Sequence, residues 1–395
     1  MIFEIVFWIS LFAIFHSYLL YPWLIKIVAQ NRKENSLTFE SGTDLPFVSI
    51  LMSVFNEEEV IAEKIRSIYY TGYPSDKFEV LVGSDASTDA TNSILKAYSE
   101  NYHRFRFFPF QVRQGKPQII NNLAKEAKGE ILIITDANVL LEMNTLYELV
   151  KHFKNPEVGL VDSLMNNKGL DEQGISIQEK AYISREVSIK HSESLAFGTM
   201  MGPFGGCFAL RSSLFEPVPK NFLVDDFYIN MLVLKKKKMA VSNLNAHVTE
   251  DVSNNLKEEF RRKTRIATGN FQNLEKFFSL LWPPWSPVSF CFISHKVLRW
   301  IGPLFIIFAM ISLAILSDQF LYRYLFFGGI IFLFIPIFDL LLKRINIHIL
   351  LFRYITHFLS MNLAMVIGLY RYIAGVKTNI WQPTRRNQAD ENYTK

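Results

Sequence analysis

A chain of 395 residues that is 50% apolar and only 20% charged, with 35 Phe and 16 Tyr, excludes disorder, collagen-like repeats and disulfide scaffolds. Its net charge of +5 falls short of the basic stripe a nucleic-acid binder needs, so nucleic acid is not an expected partner, while mild basicity suits anionic headgroups. Cys207 and Cys291 lie far apart with no His or Cys at ligand spacing, so chemistry must come from carboxylates and bases.

Residues 5–25 (IVFWISLFAIFHSYLLYPWLI) form an uncharged run long enough to cross a hydrocarbon core of about 30 Å. Lys26, Arg32 and Lys33 follow at once, so residues 1–30 are expected to anchor the chain and deliver it to the cytoplasm. The competing reading is a secretory signal peptide. The run is too long for one, has no basic start and offers no small-residue cleavage site.

Residues 31–255 are enough for one sizeable core. The β-rich runs 47–55, 78–84, 105–110 and 130–136 alternate with polar or helical stretches, which predicts an α/β domain of βαβ units with a mostly parallel sheet. Ligands of such sheets bind beyond the carboxyl ends of the strands. Acidic and polar groups stand there: Asn56-Glu57-Glu58 after the first strand, GSDASTDAT (83–91) after the second and TDAN (135–138) after the fourth. Asp89 reads as a cap of a helix over 90–100. Capping alone does not explain why Asp85 and Asp136 stand at the ends of separate strands. Neither GxGxxG nor GxxxxGK[ST] is present.

From 256 onward the pattern changes. Leu256, Phe260, Ala267, Phe271, Leu274 and Phe278 recur at helical spacing, which predicts an amphipathic helix lying in the membrane plane, with a helix packed on the soluble core as the rival. WPPWSPV (282–288) breaks it, with Trp282 and Trp285 at interface depth, and SHKVLRW (294–300) is expected to run along the surface, so that 256–299 is interfacial. Trp300 to Leu342 holds three charges in 43 residues, where the average would put about nine. Within 300–375 the apolar runs are 300–317, 324–342 and 354–370. Four full crossings would leave Arg371, Lys377, Arg385 and Arg386 outside, against the positive-inside rule. The last run, with Arg353, His357 and Asn362, is therefore expected to be a partial or interfacial helix before a polar tail over 376–395.

The segments FVSILMSVFNEEEVI, VLVGSDASTDAT, GKPQIIN, ILIITDAN, GGCFAL, VDDFYIN and RRKTRI, in this order, resemble the membrane-bound family 2 glycosyltransferases, relatives of cellulose, hyaluronan and poly-N-acetylglucosamine synthases, over roughly residues 45–275. The resemblance implies a GT-A nucleotide-sugar-binding fold in an integral inner- or plasma-membrane protein with a cytoplasmic catalytic domain. It implies that Asn56, Glu57 and Asp85 bind the nucleotide sugar and that Lys116 lies near its diphosphate. Asp136 and Asn138 fall on the D-x-D that binds Mg²⁺ or Mn²⁺; Asn in second place keeps a coordinating carbonyl without the charge. Asp226 matches the general base, with Asp225, Gly205 and Gly206 on the acceptor side.

Arg262 and Arg265 match arginines that meet the departing diphosphate, and a helix puts them on one face. Ile266 replaces a Trp that lies near the acceptor sugar in processive members. The implied reaction is metal-dependent, inverting transfer of a hexosyl group from a nucleotide sugar, UDP-linked, to a lipid-linked or polysaccharide acceptor. Membrane lipids, and an oligomer or partner subunit, are the further expected contacts. A processive synthase and an inactive nucleotide-sugar-binding subunit are the rival readings.

Overall fold

The computed structural model describes residues 1–40, 44–168, 176–251, 256–345, 347–376, 378 and 379. They fall into two compact units, a sheet unit of Val28–Leu170, Lys190–Asn254 and Val376–Lys395, and a helical unit of Met1–Ile27, Asp171–Ile189 and Asn255–Gly375.

The sheet unit begins with β1 (Val48–Val54), β2 (Phe78–Asp85), β3 (Phe105–Phe110) and β4 (Ile131–Thr135). Every residue of β2 and β4 is buried, the mark of a sheet covered on both faces; β4 (ILIIT) reads as a nearly continuous apolar run, while β2 (FEVLVGSD) also buries Glu79, Ser84 and Asp85. The covering helices are Ile61–Tyr69, Thr91–Asn101 and Lys116–Glu126, and all three lie between strands that run parallel. In the first, Ile61, Lys64, Ile65 and Ile68 form the buried stripe. A lysine in such a stripe is an exception that the site explains below.

Four further strands complete the sheet: β5 (Val139–Leu141), β6 (Val158–Lys168), β7 (Cys207–Arg211) and β8 (Met239–Asp251). The order is β3-β2-β1-β4-β7-β6-β8-β5. The four strands β3, β2, β1 and β4 are mutually parallel, whereas β7 runs antiparallel to β4 and β6, and β5 antiparallel to β8. The sheet is thus mixed with mostly parallel strands, as expected. Register pairs Val54 with Ser84 and Met52 with Thr135, which brings the carboxyl ends of β1, β2 and β4 to one edge.

The helical unit contains three helices long and apolar enough to cross a membrane, Ile2–Ala29, Phe320–Arg344 and Leu350–Ile373, and a fourth candidate in the pair Pro287–Trp300 and Gly302–Ile315, bent by 61°. By length, the last apolar run, expected to be a partial or interfacial helix, is among the candidates for a full span. Leu350–Ile373 has 24 residues, whereas Gly302–Ile315 has 14, too few to span alone, because Gly302 and Pro303 start a new helix after the bend.

The amphipathic segment forms the helix Leu256–Lys276, but its stripe is divided. Ala267 and Phe271 are buried, and a Cβ on Gly368 would lie 2.5 Å from the Ala267 Cβ, so this helix and Leu350–Ile373 meet backbone to backbone. Phe278, Trp282 and Trp285 stay exposed. The expected surface course of 294–300 is corrected: Ser294 and His295 are buried, and His295 and Lys296 each reach Glu186 at 3.0 Å, with Arg299 on its other oxygen. A carboxylate from Asp171–Ile189 satisfies the polar groups of that segment, which an apolar pattern could not disclose.

Candidate active site

The end of β1 and the loop after β2 are stitched together by short polar side chains. The Asn56 backbone, at φ 52°, donates to Ser87 Oγ, and Asn56 Oδ1 accepts from the Thr88 N–H at 2.9 Å. Glu57 is buried and its N–H donates to Thr91 Oγ1 at 2.8 Å. Asp89 caps as expected, accepting from the Thr91 N–H at 3.0 Å. Asn56 and Glu57 therefore shape the crevice wall first of all.

Asp85 ends β2, almost fully buried, with both oxygens engaged. Oδ1 accepts from the Gln114 N–H at 2.6 Å, while Oδ2 accepts from the Gly115 N–H and from Arg113 Nε, each at 3.0 Å. The Arg113 guanidinium also lies 3.3 Å from the centre of the Phe55 ring. Asp85 thus sets the course of 113–115, and the helix that follows opens with Lys116.

Lys116 reaches across to β4: its Nζ donates to Asp136 Oδ1 at 2.6 Å. Burial works against its positive charge, but Asp136, Asp225 and Asp226 together hold the ammonium above its ordinary range. Asp136 follows the last residue of β4, and its N–H donates to the Gly206 carbonyl at 2.9 Å, tying it to the start of β7. Asn138 Nδ2 donates to Glu250 Oε1 at 3.0 Å, so the amide oxygen is the end left to meet a ligand.

Among the described residues no three His, Cys, Asp or Glu side chains converge to hold a metal. Asp136 and the Asn138 carbonyl nevertheless fit Mg²⁺ or Mn²⁺ when a diphosphate supplies the remaining oxygens, because these hard ions commonly keep one or two protein carboxylates plus phosphate and water. The donor set suits an ion that is shared with substrate.

Asp225 and Asp226 open the helix Asp225–Lys235. Gly205, at φ 88°, approaches Asp226 so closely that a Cβ there would lie 2.1 Å from Asp226 Oδ2, so only glycine permits the contact. The other oxygen accepts from the Phe227 N–H at 2.6 Å. Burial, and then the charge of Asp225, push the Asp226 carboxyl up to about 6, against the pull of Lys116 and the Phe227 N–H. A carboxylate with that affinity is suited to accept a proton near neutral pH. Gly206 is less constrained: a Cβ there would meet Met165 Cε at 2.2 Å, the flexible end of a side chain that can give way.

Within the sheet unit, Lys116 thus links Asp136 with the charges of Asp225 and Asp226, Asp85 is held to the Gly115 backbone beside Lys116, and Gly206 and Gly205 contact Asp136 and Asp226 in turn. Arg262 and Arg265 stand one turn apart on Leu256–Lys276 of the helical unit, as expected, with Arg262 3.5 Å from Glu259.

Sequence reasoning missed Lys64. Fully buried, it donates to Thr135 Oγ1 at 2.8 Å and to the Val139 carbonyl, bracing both ends of the Asp136–Asn138 turn. Burial lowers it to about 8. Its signal was there to read, as a lysine on the buried stripe of a helix. Glu250 and Arg113 gave no such sign.

Residues 49–218 match the model of glycosyl transferase family 2. That match takes in 170 of the chain's 395 residues, less than half of it. Proteins similar to this chain include a poly-β-1,6-N-acetyl-D-glucosamine synthase of Staphylococcus epidermidis, 29% identical over 160 residues, 40% of this chain and 38% of that one. The probable glycosyltransferase YdaM of Bacillus subtilis is 31% identical over 30% of this chain and 29% of its own. A β-monoglucosyldiacylglycerol synthase of Trichormus variabilis is 33% identical over 31% of this chain and 26% of its own. The chain thus spans well under half the length of these relatives. A mannosyltransferase of Pyrobaculum calidifontis, PcManGT, solved with GDP-Man and Mn²⁺, superposes with a TM-score of 0.72 at 22% identity, covering 94% of this chain and 99% of that one. At that identity the likeness establishes the fold alone: the chain has the GT-A architecture.

Proposed function

We propose that this chain is a family 2 glycosyltransferase, a membrane-bound, inverting, metal-dependent enzyme that moves a sugar from a nucleotide diphosphate sugar, UDP-linked, to a lipid-linked or glycan acceptor. The observation that carries this reading is Asp226, a carboxylate poised near neutrality against Gly205 and in the same polar crevice as Lys116 and Asp136.

In this reading Asp226 takes the proton of an acceptor hydroxyl while that oxygen attacks the anomeric carbon from the face opposite the diphosphate. The bond from that carbon to the diphosphate oxygen breaks, its electron pair leaves with the nucleotide, and configuration inverts. Asp136 and Asn138 would hold the divalent ion, which when bound stabilises charge on the departing diphosphate. Lys116 adds a cation there once the diphosphate draws it from Asp136. The role of Arg262 and Arg265 at the leaving group rests on the sequence motif alone.

Three crossings, by Ile2–Ala29, Phe320–Arg344 and Leu350–Ile373, with the bent pair re-entrant, would return the chain to the cytoplasm after Ile373. That topology suits the basic tail and needs no partial last span. A processive synthase is the second reading, favoured by the match to the poly-N-acetylglucosamine synthase and disfavoured by Ile266. The test is to incubate purified full-length protein with labelled UDP- and GDP-sugars and lipid acceptors, with Mn²⁺, and to size the products. One added sugar supports the lipid-acceptor reading and a ladder of long chains the processive one. No transfer from any nucleotide sugar rejects both.

A further inference from the structure

Gly115 adopts φ 83°, and the space a side chain would fill is already occupied: a Cβ there would lie 2.3 Å from Asn379 Oδ1. Asn379 lies beyond Leu350–Ile373, the last helix among the described residues, and clusters with the sheet unit. Only 6% of it is exposed, and among the described residues its Nδ2 has no hydrogen-bond partner. Buried donors are nearly always paired, because losing water without replacement is costly. An amide kept in that state marks a place where a partner arrives.

The position indicates which partner. Gly115 donates its N–H to Asp85 Oδ2 at 3.0 Å, and the next residue, Lys116, holds Asp136 at 2.6 Å. Asn379 therefore sits against the backbone that joins Asp85, which the family resemblance places at the nucleotide sugar, to Lys116 and Asp136, proposed for the diphosphate. A neutral N–H donor there matches the oxygens of a ribose–diphosphate and is indifferent to the base.

We infer that Asn379 is a donor-binding residue whose amide nitrogen donates a hydrogen bond to an oxygen of the ribose–diphosphate portion of the nucleotide sugar. The inference rests on the proposed donor and adds a contact supplied by the segment after the last membrane-length helix. That segment then contributes directly to the pocket.

The experiment is calorimetric titration of the full-length, detergent-solubilised protein with UDP and with GDP in Mn²⁺, beside melting curves without nucleotide. N379A is expected to weaken UDP about tenfold, the loss of one hydrogen bond to a charged acceptor. Its melting temperature without nucleotide should hold or rise, since an unpaired buried amide has gone. N379D, equal in shape but with an oxygen in place of the N–H, should weaken UDP further by repulsion from phosphate. UDP affinity within twofold of wild type in N379A, or a lowered melting temperature without nucleotide, overturns the inference alone. A wild-type protein that binds neither UDP nor GDP overturns the donor reading and this inference together.

Discussion

The two halves of the sheet, β3-β2-β1-β4 and β7-β6-β8-β5, are continuous in hydrogen bonding but different in wiring. In the first, parallel strands alternate with covering helices, so each strand end and the loop after it are contiguous in the chain. In the second, the three-residue β5 pairs with the far end of β8, and β7 inserts antiparallel between β4 and β6. Polar groups proposed for the donor stand mostly at strand ends of the first half. Those proposed for the acceptor, Gly205 and Asp226, meet through the second. The contrast teaches that changes in the first half should act on nucleotide binding and changes in the second on the transfer step.

Asp226→Asn tests this most severely. Turnover is expected to fall roughly 10²- to 10⁴-fold, the usual worth of a general base, with UDP affinity nearly unchanged. Equal loss of binding, measured by calorimetry, would break the division. In the wild type the transfer rate should rise with pH through about 6, because the base must be ionised and burial beside Asp225 has raised its value. Gly205→Ala places a Cβ 2.1 Å from Asp226 Oδ2 at a φ of 88°, so kcat is expected to fall about 10²-fold while the donor KM holds.

Lys116→Gln sharpens the donor side. UDP binding in Mn²⁺ should weaken about tenfold, the loss of a charge-assisted contact. Mn²⁺ alone, followed by electron paramagnetic resonance, should bind more tightly, because Asp136 Oδ1 is freed of its 2.6 Å ammonium. Looser binding of the bare ion would contradict the picture of a carboxylate shared between lysine and metal.

The smallest expected effect belongs to Lys64→Met, which removes a buried ammonium. The folded protein holds this group at about 8 against the ordinary 10.5, so between those values it binds fewer protons than the unfolded chain. Wild-type stability should therefore gain a contribution from this group as pH rises across that window, and the variant should lack it. Melting temperature recorded as a function of pH reads the difference. At pH 7 the variant should melt within a few degrees of wild type, since the lost hydrogen bonds and the relieved burial of charge oppose each other.

The sequence was most informative where neighbours in the chain remain neighbours in space. The four runs that alternate with helices emerge as β1 to β4 with ends shifted by at most one residue, and Asp89 caps its helix as its residue type suggests. It was least informative where an apolar pattern has more than one solution. The stripe through Ala267 and Phe271 meets the Gly368 helix, a contact that periodicity alone does not identify. Span length misled for the same reason, since Gly302–Ile315 ends where packing and a bend dictate.

What the sequence by itself determined is the set of strands, the acidic groups at their carboxyl ends and the presence of long apolar helices, because periodicity and turn chemistry act over a few residues. Tertiary structure alone decided that Lys116 meets Asp136, that Glu250 orients Asn138, that Lys64 braces the turn from beneath, and that Asn379 fills the space beside Gly115. Each of those contacts joins distant parts of the chain, and only burial of the common core brings them within hydrogen-bond or van der Waals reach.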